Sequence, residues 1–323
     1  MKKFKRVIWF FALIVFLFFG FKLWWNSQLK AFSSDTKTII FVVDKGEAFS
    51  QVSDNLKKAK LIKNTFVFNI VAKQSALSNK IQPGTFRLSP SQISREILKT
   101  LTEKPLDNWV TLLEGWRVEE MADRLNGQWT IDKGQFIKQA KIYEGYLFPD
   151  TYLFPKDYTT EQIIQRLKST FEQKYSDDLK SKIRALGLTD SQGVILASIV
   201  EREARSDEVR RMVASILLKR LKIGMGLNVD ATVQYALGYQ PEEKSWWKRH
   251  LSLDDLKIDS PFNTYIHSGL PPAPICNPGL ASLKAVADAD PSTPYLYYYH
   301  DSKGNSYYAK TLEEHNQNVA NHP

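Results

Sequence analysis

The longest run of apolar positions lies at the start of the chain. Val7 to Phe21 carry no charge and are almost all Val, Ile, Leu, Phe or Trp; Lys22 interrupts them, and Leu23, Trp24 and Trp25 follow. The 19 positions from Val7 to Trp25 suffice to cross a bilayer core of roughly 30 Å at about 1.5 Å per residue. Lys22 can reach back to the interface, and the tryptophan pair suits the aromatic belt of a membrane. A cleaved signal peptide would have a shorter apolar core followed by a small-x-small site; bulky residues stand there instead. The expectation is an uncleaved single-pass transmembrane helix over 7–25 in the inner membrane. The basic residues Lys2, Lys3, Lys5 and Arg6 make 1–6 a cytoplasmic tail and put the bulk of the chain outside.

Residues 26–36 are mostly polar and read as a linker. TIIFVV, Thr38 to Val43, reads as a strand; Ser50 to Lys60 has helical periodicity, and Asn64 to Leu77 a second helical stretch. GTFRLS, Gly84 to Ser89, is a short strand and Pro90 to Leu101 a helix. FVVDKGEAFSQVSDNL and WVTLLEGWRVEEMADRL share a scheme of strand, acid, Gly and helix, with Gly46, Val52, Asp54 and Leu56 aligning on Gly115, Met121, Asp123 and Leu125. Each is a βα unit whose turn glycine is expected at positive φ. Such units resemble LysM-like glycan-binding modules, so 37–104 is expected to be a LysM-like subdomain. From Thr159 the chain is mostly helical: Thr159 to Tyr175, Asp177 to Leu186, Asp190 to Arg205 and Asp207 to Leu221. Thr189 and Gln192 form a T-x-x-Q capping box that starts a helix near Asp190. YLYYYHDSKGNSYYAK reads as a hairpin turning at Lys303, Gly304 and Asn305, and Thr311 to Glu314 is a second capping box. Helices and strands in separate blocks make the class α+β, with a larger mixed, helix-rich domain over 105–323.

Composition narrows the function classes. The 323 residues are 43% hydrophobic, with net charge +9. Beyond the N-terminal cluster the basic excess is dispersed, so it implies attraction to anionic polymers or a membrane surface and no nucleic-acid partner. The single cysteine, Cys276, excludes an intrachain disulfide.

Four segments could carry chemistry. In ILASIVEREAR, Ile195 to Arg205, Glu201 follows six apolar or small residues. A carboxylate so placed is paired, exposed or functional, because burying it alone is costly. A carboxyl group in partly apolar surroundings keeps its proton to higher pH, as a general acid must. Val194, Ala197, Ser198 and Glu201 share a helical stripe, and the two small residues would leave room for a ligand. The competing reading is an i,i+4 ion pair with Arg205 on a solvated face. Glu203 reads as a surface charge. In EGYLFPDTYLFP, the acids Glu144 and Asp150 flank aromatics including Tyr146 and Tyr152, a composition suited to stacking on sugar faces; an ordered packed loop is the alternative. In SPFNTYIHSGLPPAPICNPG, five prolines and two glycines exclude regular structure, and Asn263, Thr264, Tyr265 and His267 offer hydrogen bonds. In GLNVDATVQYALG, Asp230 is either a helix N-cap or a site residue. Metalloprotease, serine-hydrolase and P-loop motifs are missing from the sequence, and Gly224 and Gly226 make only a lone G-x-G.

In their order along the chain these segments resemble the YceG-like family of endolytic murein transglycosylases. Its stretches read L-A-S-I-V-E-x-E, E-G-x-x-x-P-D-T-Y, L-Q-S-D-P-T-V and S-P-Y-N-T-Y-x-x-x-G-L-P-P-x-P-I-x-N-P-G, and its K-T-L-x-E-H-N is matched by Lys310 to Asn316. The resemblance spans about Thr38 to Val319 and departs at Asn228, Val229, Ala231 and Phe262. It implies cleavage of nascent peptidoglycan glycan strands without water, leaving 1,6-anhydro-N-acetylmuramic acid ends and terminating strand growth beside the peptidoglycan synthases. It places the catalytic glutamate on Glu201 and needs no metal or cofactor. Ordinary glycosidases use two carboxylates; here the sugar's own C6 hydroxyl attacks, so one Glu can serve as acid and then base, with tethering supplying effective concentration. Asn263, Tyr265 and Asp230 are expected to orient the glycan. Two alternatives stay open: a non-catalytic wall-binding scaffold, and a hydrolase whose second carboxylate would be Glu144 or Asp150.

Overall fold

Capping chemistry and apolar periodicity put most helices within a few residues of their predicted limits. The computed structural model describes residues 2–44, 46–103, 105–127, 131–155 and 158–323. Met1, at the start of the expected tail, and Lys104, at the expected subdomain edge, lie outside the described residues. The elements in order are α1 (Lys2–Leu29), β1 (Ile39–Val43), α2 (Phe49–Lys58), α3 (Thr65–Gln74), β2 (Gly84–Leu88), α4 (Ser94–Thr102), β3 (Asp107–Thr111), α5 (Val118–Asn126), α6 (Lys133–Ala140), β4 (Thr151–Pro155), α7 (Thr160–Lys174), α8 (Asp177–Ala185), α9 (Asp190–Glu203), α10 (Asp207–Lys222), α11 (Asp230–Leu237), α12 (Leu280–Ala287), β5 (Tyr297–His300), β6 (Ser306–Ala309) and α13 (Leu312–Asn321). The class is α+β, helix-rich, with the expected C-terminal hairpin.

The chain divides into two compact units, Met1–Trp109 with Leu153–Asp157, and Val110–Tyr152 with Tyr158–Pro323. In the first, β1 and β2 pair antiparallel from Ile39↔Leu88 to Val43↔Gly84, with α2 and α3 between them in the chain. Val43, Leu56, Phe68, Phe86 and Leu98 form its core. Asn64 caps α3, accepting from Phe66 N–H at 2.9 Å and Val67 N–H at 3.2 Å. α1 is apolar over Leu13–Leu29; among the described residues no single helix is long and apolar enough to cross a membrane.

In the second unit the organising element is α9. Its N-terminus is the predicted box: Thr189 N–H donates to Gln192 Oε1 at 2.9 Å, and Gln192 N–H to Thr189 Oγ1 at 3.2 Å. Gly193 through Val200 are all buried. A helix apolar on every side must be enclosed on every side, and α8, α10, α11 and α12 all pack against α9. The turns of both βα units hold their glycines at positive φ, Gly46 at 82° and Gly115 at 77°, a region costly for any side chain. The second predicted capping box is half made: Glu314 N–H donates to Thr311 Oγ1 at 3.2 Å, but the Glu314 carboxylate takes Lys310 N–H at 2.7 Å.

Leu196 is fully buried at the centre of this packing. Leu196→Ala should therefore lower unfolding free energy by about 2–5 kcal/mol; a urea midpoint unchanged from wild type would contradict this.

Candidate active site

Glu201 lies in the last turn of α9 with its side chain only 5% exposed. Its partners come from two other segments. Gly279 N–H, immediately before α12, donates to Oε2 at 2.9 Å, and Arg210 Nη2 of α10 lies 3.5 Å from Oε1. The positive end of α12 thus faces a carboxylate that also has a guanidinium beside it. Arg205, the ion-pair partner that helical spacing allows, is exposed; the chain turns at Ala204, and Arg210 reaches Glu201 instead.

The segment that delivers Gly279 is fastened to α9. Ser198 Oγ accepts Ile275 N–H at 3.0 Å and donates to Ile195 O at 2.7 Å, while Cys276 Sγ donates to Ser198 O at 3.2 Å. The space expected to remain open beside Ala197 and Ser198 is filled by this strap, and both residues are fully buried. Asn277 then joins three segments. Its Oδ1 accepts Gly145 N–H at 2.9 Å and Leu147 N–H at 3.0 Å, and its Nδ2 donates to Glu144 Oε1 at 3.0 Å and Trp116 O at 3.1 Å. Its backbone pairs with the turn after β3: Gly115 N–H to Asn277 O at 3.0 Å, and Asn277 N–H to Trp116 O at 2.9 Å.

That pairing brings in Glu114, which the sequence reading passed over. A Cβ on Gly279 would fall on the Glu114 carboxylate, so both carboxylates flank one glycine. Burial, then the Glu201 charge, pushes Glu114 above its ordinary value, with Asp207 and Asp150 adding and Arg210 opposing. The signal was present: Glu114 is the acid before the turn glycine of the second βα unit.

The other predicted site residues fall into three places. Glu144 is buried, accepting Val118 N–H at 3.0 Å and pairing with Lys141 at 3.0 Å. Burial opposes the charge on Lys141, yet Glu144, Tyr235 and Glu119 around it hold its pKa above the ordinary value. Tyr152 is buried with its hydroxyl on Phe148 O at 2.7 Å, and Tyr146 packs edge-on to Phe171. Asp150 is exposed and near enough to act on Glu114. Asn263 is fully buried, donating to Leu256 O at 2.9 Å and Ile258 O at 3.0 Å and accepting Tyr265 N–H at 2.9 Å.

Asp230 and Tyr265 do meet: the tyrosine hydroxyl donates to Asp230 Oδ1 at 2.6 Å. Asp230 is not an N-cap. Val229 occupies that position, because Thr264 Oγ1 accepts Val229 N–H at 3.0 Å and bonds Thr232 Oγ1 at 2.9 Å, which sets the helix start one residue earlier. Glu203 is also not a surface charge. Tyr298 of the hairpin covers it and donates to Oε2 at 3.1 Å, and burial pushes its carboxyl up to about 7. A cavity of about 570 Å³ beside Glu201 and Glu203 is walled by Arg202, Arg205 and Lys303. A second, of about 510 Å³, has Glu203, Asp230, Tyr265 and the hairpin tyrosines in its wall.

A sequence model of the YceG-like family matches residues 41–321. The chain is 31% identical to an endolytic murein transglycosylase of Bacillus subtilis, over 92% of this chain and 89% of that protein. It is 26% identical to an endolytic murein transglycosylase of Streptococcus pneumoniae, over 94% of this chain and 62% of that longer protein. Among solved structures it is similar to a yceG-like protein of Listeria monocytogenes, with TM-score 0.59 and 29% identity, covering 87% of this chain and 98% of that one.

Asn277→Ala would strand Gly145 N–H and Leu147 N–H in the interior, so it should cost about 2–4 kcal/mol in urea unfolding; a loss below about 1 kcal/mol would remove Asn277 from this role. Glu203, faced by Tyr298, Asp230 and Arg202, keeps its proton to about pH 7 in the fold, against 4.5 for an ordinary glutamate. The stability this confers is complete below about pH 4.5 and is lost as pH rises to about 7. Across that window the wild type should fall by up to about 3 kcal/mol relative to Glu203→Gln; parallel pH profiles for the two proteins would contradict it.

Proposed function

Because this chain belongs to the YceG-like family, we propose that Glu201 is the acid and base with which it cuts glycan strands. The chain acts on the glycan strands of peptidoglycan as a lytic transglycosylase. The observation that carries the assignment of Glu201 is its placement: a nearly buried carboxyl group, one oxygen held by Gly279 N–H, at the wall of an open cavity. Among the described residues Oε1 has only the longer Arg210 contact, which leaves it to meet substrate.

In the proposed reaction the Glu201 carboxyl passes its proton to the glycosidic oxygen as the bond from that oxygen to the anomeric carbon of N-acetylmuramic acid breaks. The C6 hydroxyl oxygen of the same sugar bonds to the anomeric carbon, and its proton returns to Glu201. No water is consumed, the product ends in a 1,6-anhydro ring, and the carboxyl is restored. Gly279 matters because no Cβ fits between the two carboxylates it touches. Glu144 and Asn263 act by holding loops, since their polar atoms are committed to backbone and to Lys141. Tyr146 and Tyr152 act likewise through packing.

The hydrolytic alternative is favoured by one observation, the second carboxylate of Glu114 across Gly279. A hydrolase would use it to activate water and would leave reducing ends.

α1 runs unbroken over Lys2–Leu29, and Leu13, Phe16, Phe18, Phe19, Phe21 and Leu23 are exposed along it. This supports a membrane anchor, and the basic residues at its start support a tail inside with the chain beyond α1 outside. The strand–helix–helix–strand order of the first unit supports a LysM-like, glycan-binding role. An anchored enzyme of this kind would meet strands as the synthases extrude them and end their growth.

Digestion of purified glycan strands tests the assignment. Wild type should release 1,6-anhydro ends, and Glu201→Gln should lose activity by a factor of about 10² to 10⁴. Anhydro ends released by Glu201→Gln at the wild-type rate would refute Glu201, and reducing ends from wild type would favour the hydrolase.

A further inference from the structure

The first unit holds the chain's surplus of positive charge. After the tail, residues 7–109 carry 14 lysines and arginines against 7 acids, whereas residues 110–323 carry 26 against 28. Lys57, Lys58, Lys60 and Lys63 cluster at the end of α2 and in the turn into α3, and no Asp or Glu occurs between Asp54 and Glu96. Of the acids in this unit, Asp35 accepts Lys37 N–H at 2.9 Å, Glu96 accepts Ile93 N–H at 2.9 Å, and Glu103 pairs with Lys99. Asp44, Glu47 and Asp54 lie from just after β1 to the middle of α2. Lys57, Lys58 and Lys60 are exposed.

This basic turn is joined to α1. Ser27 O lies in the last turn of α1, where helix carbonyls lack an intrahelical partner, and Lys63 Nζ donates to it at 3.4 Å. α1 also packs against α3. Residues 26–36, expected as a linker, are bonded along the unit: Ser33 N–H donates to Pro90 O at 3.1 Å, and Ser89 Oγ to Asp35 O at 3.0 Å. The chain leaving α1 is thereby fastened to the unit at Ser27, Ser33 and Asp35.

The height of the turn above a bilayer follows from α1. Trp24 and Trp25 suit the interface between hydrocarbon and headgroups. Ser27 is two to three residues further, about 3–5 Å along the axis, and a headgroup layer is about 5–7 Å deep. Lys63 therefore stands among headgroups when α1 spans the membrane. Phe66, in the first turn of α3, is 64% exposed, and Lys30 and Phe32 just past α1 are exposed too. Apolar rings among lysines suit the boundary between headgroups and acyl chains.

We propose that the turn between α2 and α3, with Lys57, Lys58, Lys60, Lys63 and Phe66, is a docking surface for anionic phospholipid headgroups that seats the first unit on the bilayer beside its own anchor. It rests on the reading of α1 as a membrane anchor. Lipid is favoured over a soluble anionic polymer because Lys63 bonds the end of the anchor helix itself. Each lysine near an anionic surface strengthens binding about 5-fold at low salt, and the attraction fades as salt shortens the Debye length.

The test reconstitutes the full chain in vesicles of equal parts phosphatidylglycerol and phosphatidylcholine, with a nitroxide on one introduced cysteine; the native Cys276 is buried and stays unlabelled. Labels are placed by Leu17→Cys in α1, Phe66→Cys in the turn, and Ser50→Cys, about 10 Å along α2 from Lys57. Electron paramagnetic resonance compares collisions with oxygen, which concentrates in lipid, and with a water-soluble nickel chelate. The Leu17 and Phe66 labels should favour oxygen and the Ser50 label the chelate. Lys57→Glu, Lys58→Glu and Lys60→Glu together, or phosphatidylcholine alone, should lower the oxygen-to-chelate ratio at Phe66 at least about 5-fold. A Leu17 label in water refutes the anchor and the docking with it. A Leu17 label in hydrocarbon with a Phe66 label in water overturns the docking alone. A ratio at Phe66 unmoved by charge reversal overturns the role of the lysines. A Phe66 label shielded from the chelate only when purified peptidoglycan strands are added overturns the lipid assignment in favour of the wall polymer.

Discussion

The geometry of the site depends on one buried amide. Asn277 bonds the loop that holds Glu144, the turn that follows β3, and the strap lying on α9. Each of those segments is irregular, so none has ladder partners of its own for its buried backbone groups. A side-chain amide, with two donors and an acceptor oxygen, can satisfy several at once. Because Asn277 precedes Gly279 by two residues, the contacts that satisfy these loops also set the N–H that meets Glu201.

Helix α9 does two jobs with one sequence. Its middle is apolar on every side and is enclosed by four helices. Its last turn leaves that enclosure and presents Glu201 and Glu203 about 200° apart around the axis. One meets the strap and Arg210, the other meets Tyr298 of the hairpin. The same helix end therefore lies between two cavities that share Glu203 and His300.

Most helices were legible because their signals are local. Thr189 with Gln192, and Thr159 with Gln162, make reciprocal caps between neighbours in the chain, and an amphipathic stripe is a property of consecutive residues. The residues of the candidate site were legible as types more than as roles. Asp230 reads from sequence as either a cap, because caps are Asp-rich, or a site residue; Thr264, 34 positions away in sequence, sets the helix start one residue earlier and rules out the cap. Glu203 was read as solvated from its spacing to Asp207, yet a hairpin nearly a hundred residues later covers it. Glu114 carries one local signal, the turn glycine that follows it, but its role depends on Gly279 and Glu201, both far off in sequence.

The sequence by itself determined the order and type of the elements, the irregular proline-rich segment over 260–279 and the α9 stretch that ends in Glu201. These follow from backbone propensity, capping and apolar period, all of which act within a few residues. Only the tertiary structure decided which carboxylates are buried, which guanidinium meets which acid, and where the cavities lie. Arg210 rather than Arg205 reaches Glu201, and Ala197 with Ser198 support a strap rather than a ligand. Burial and long-range pairing are properties of surfaces brought together by folding, and no pattern along one helix specifies what will be packed against it.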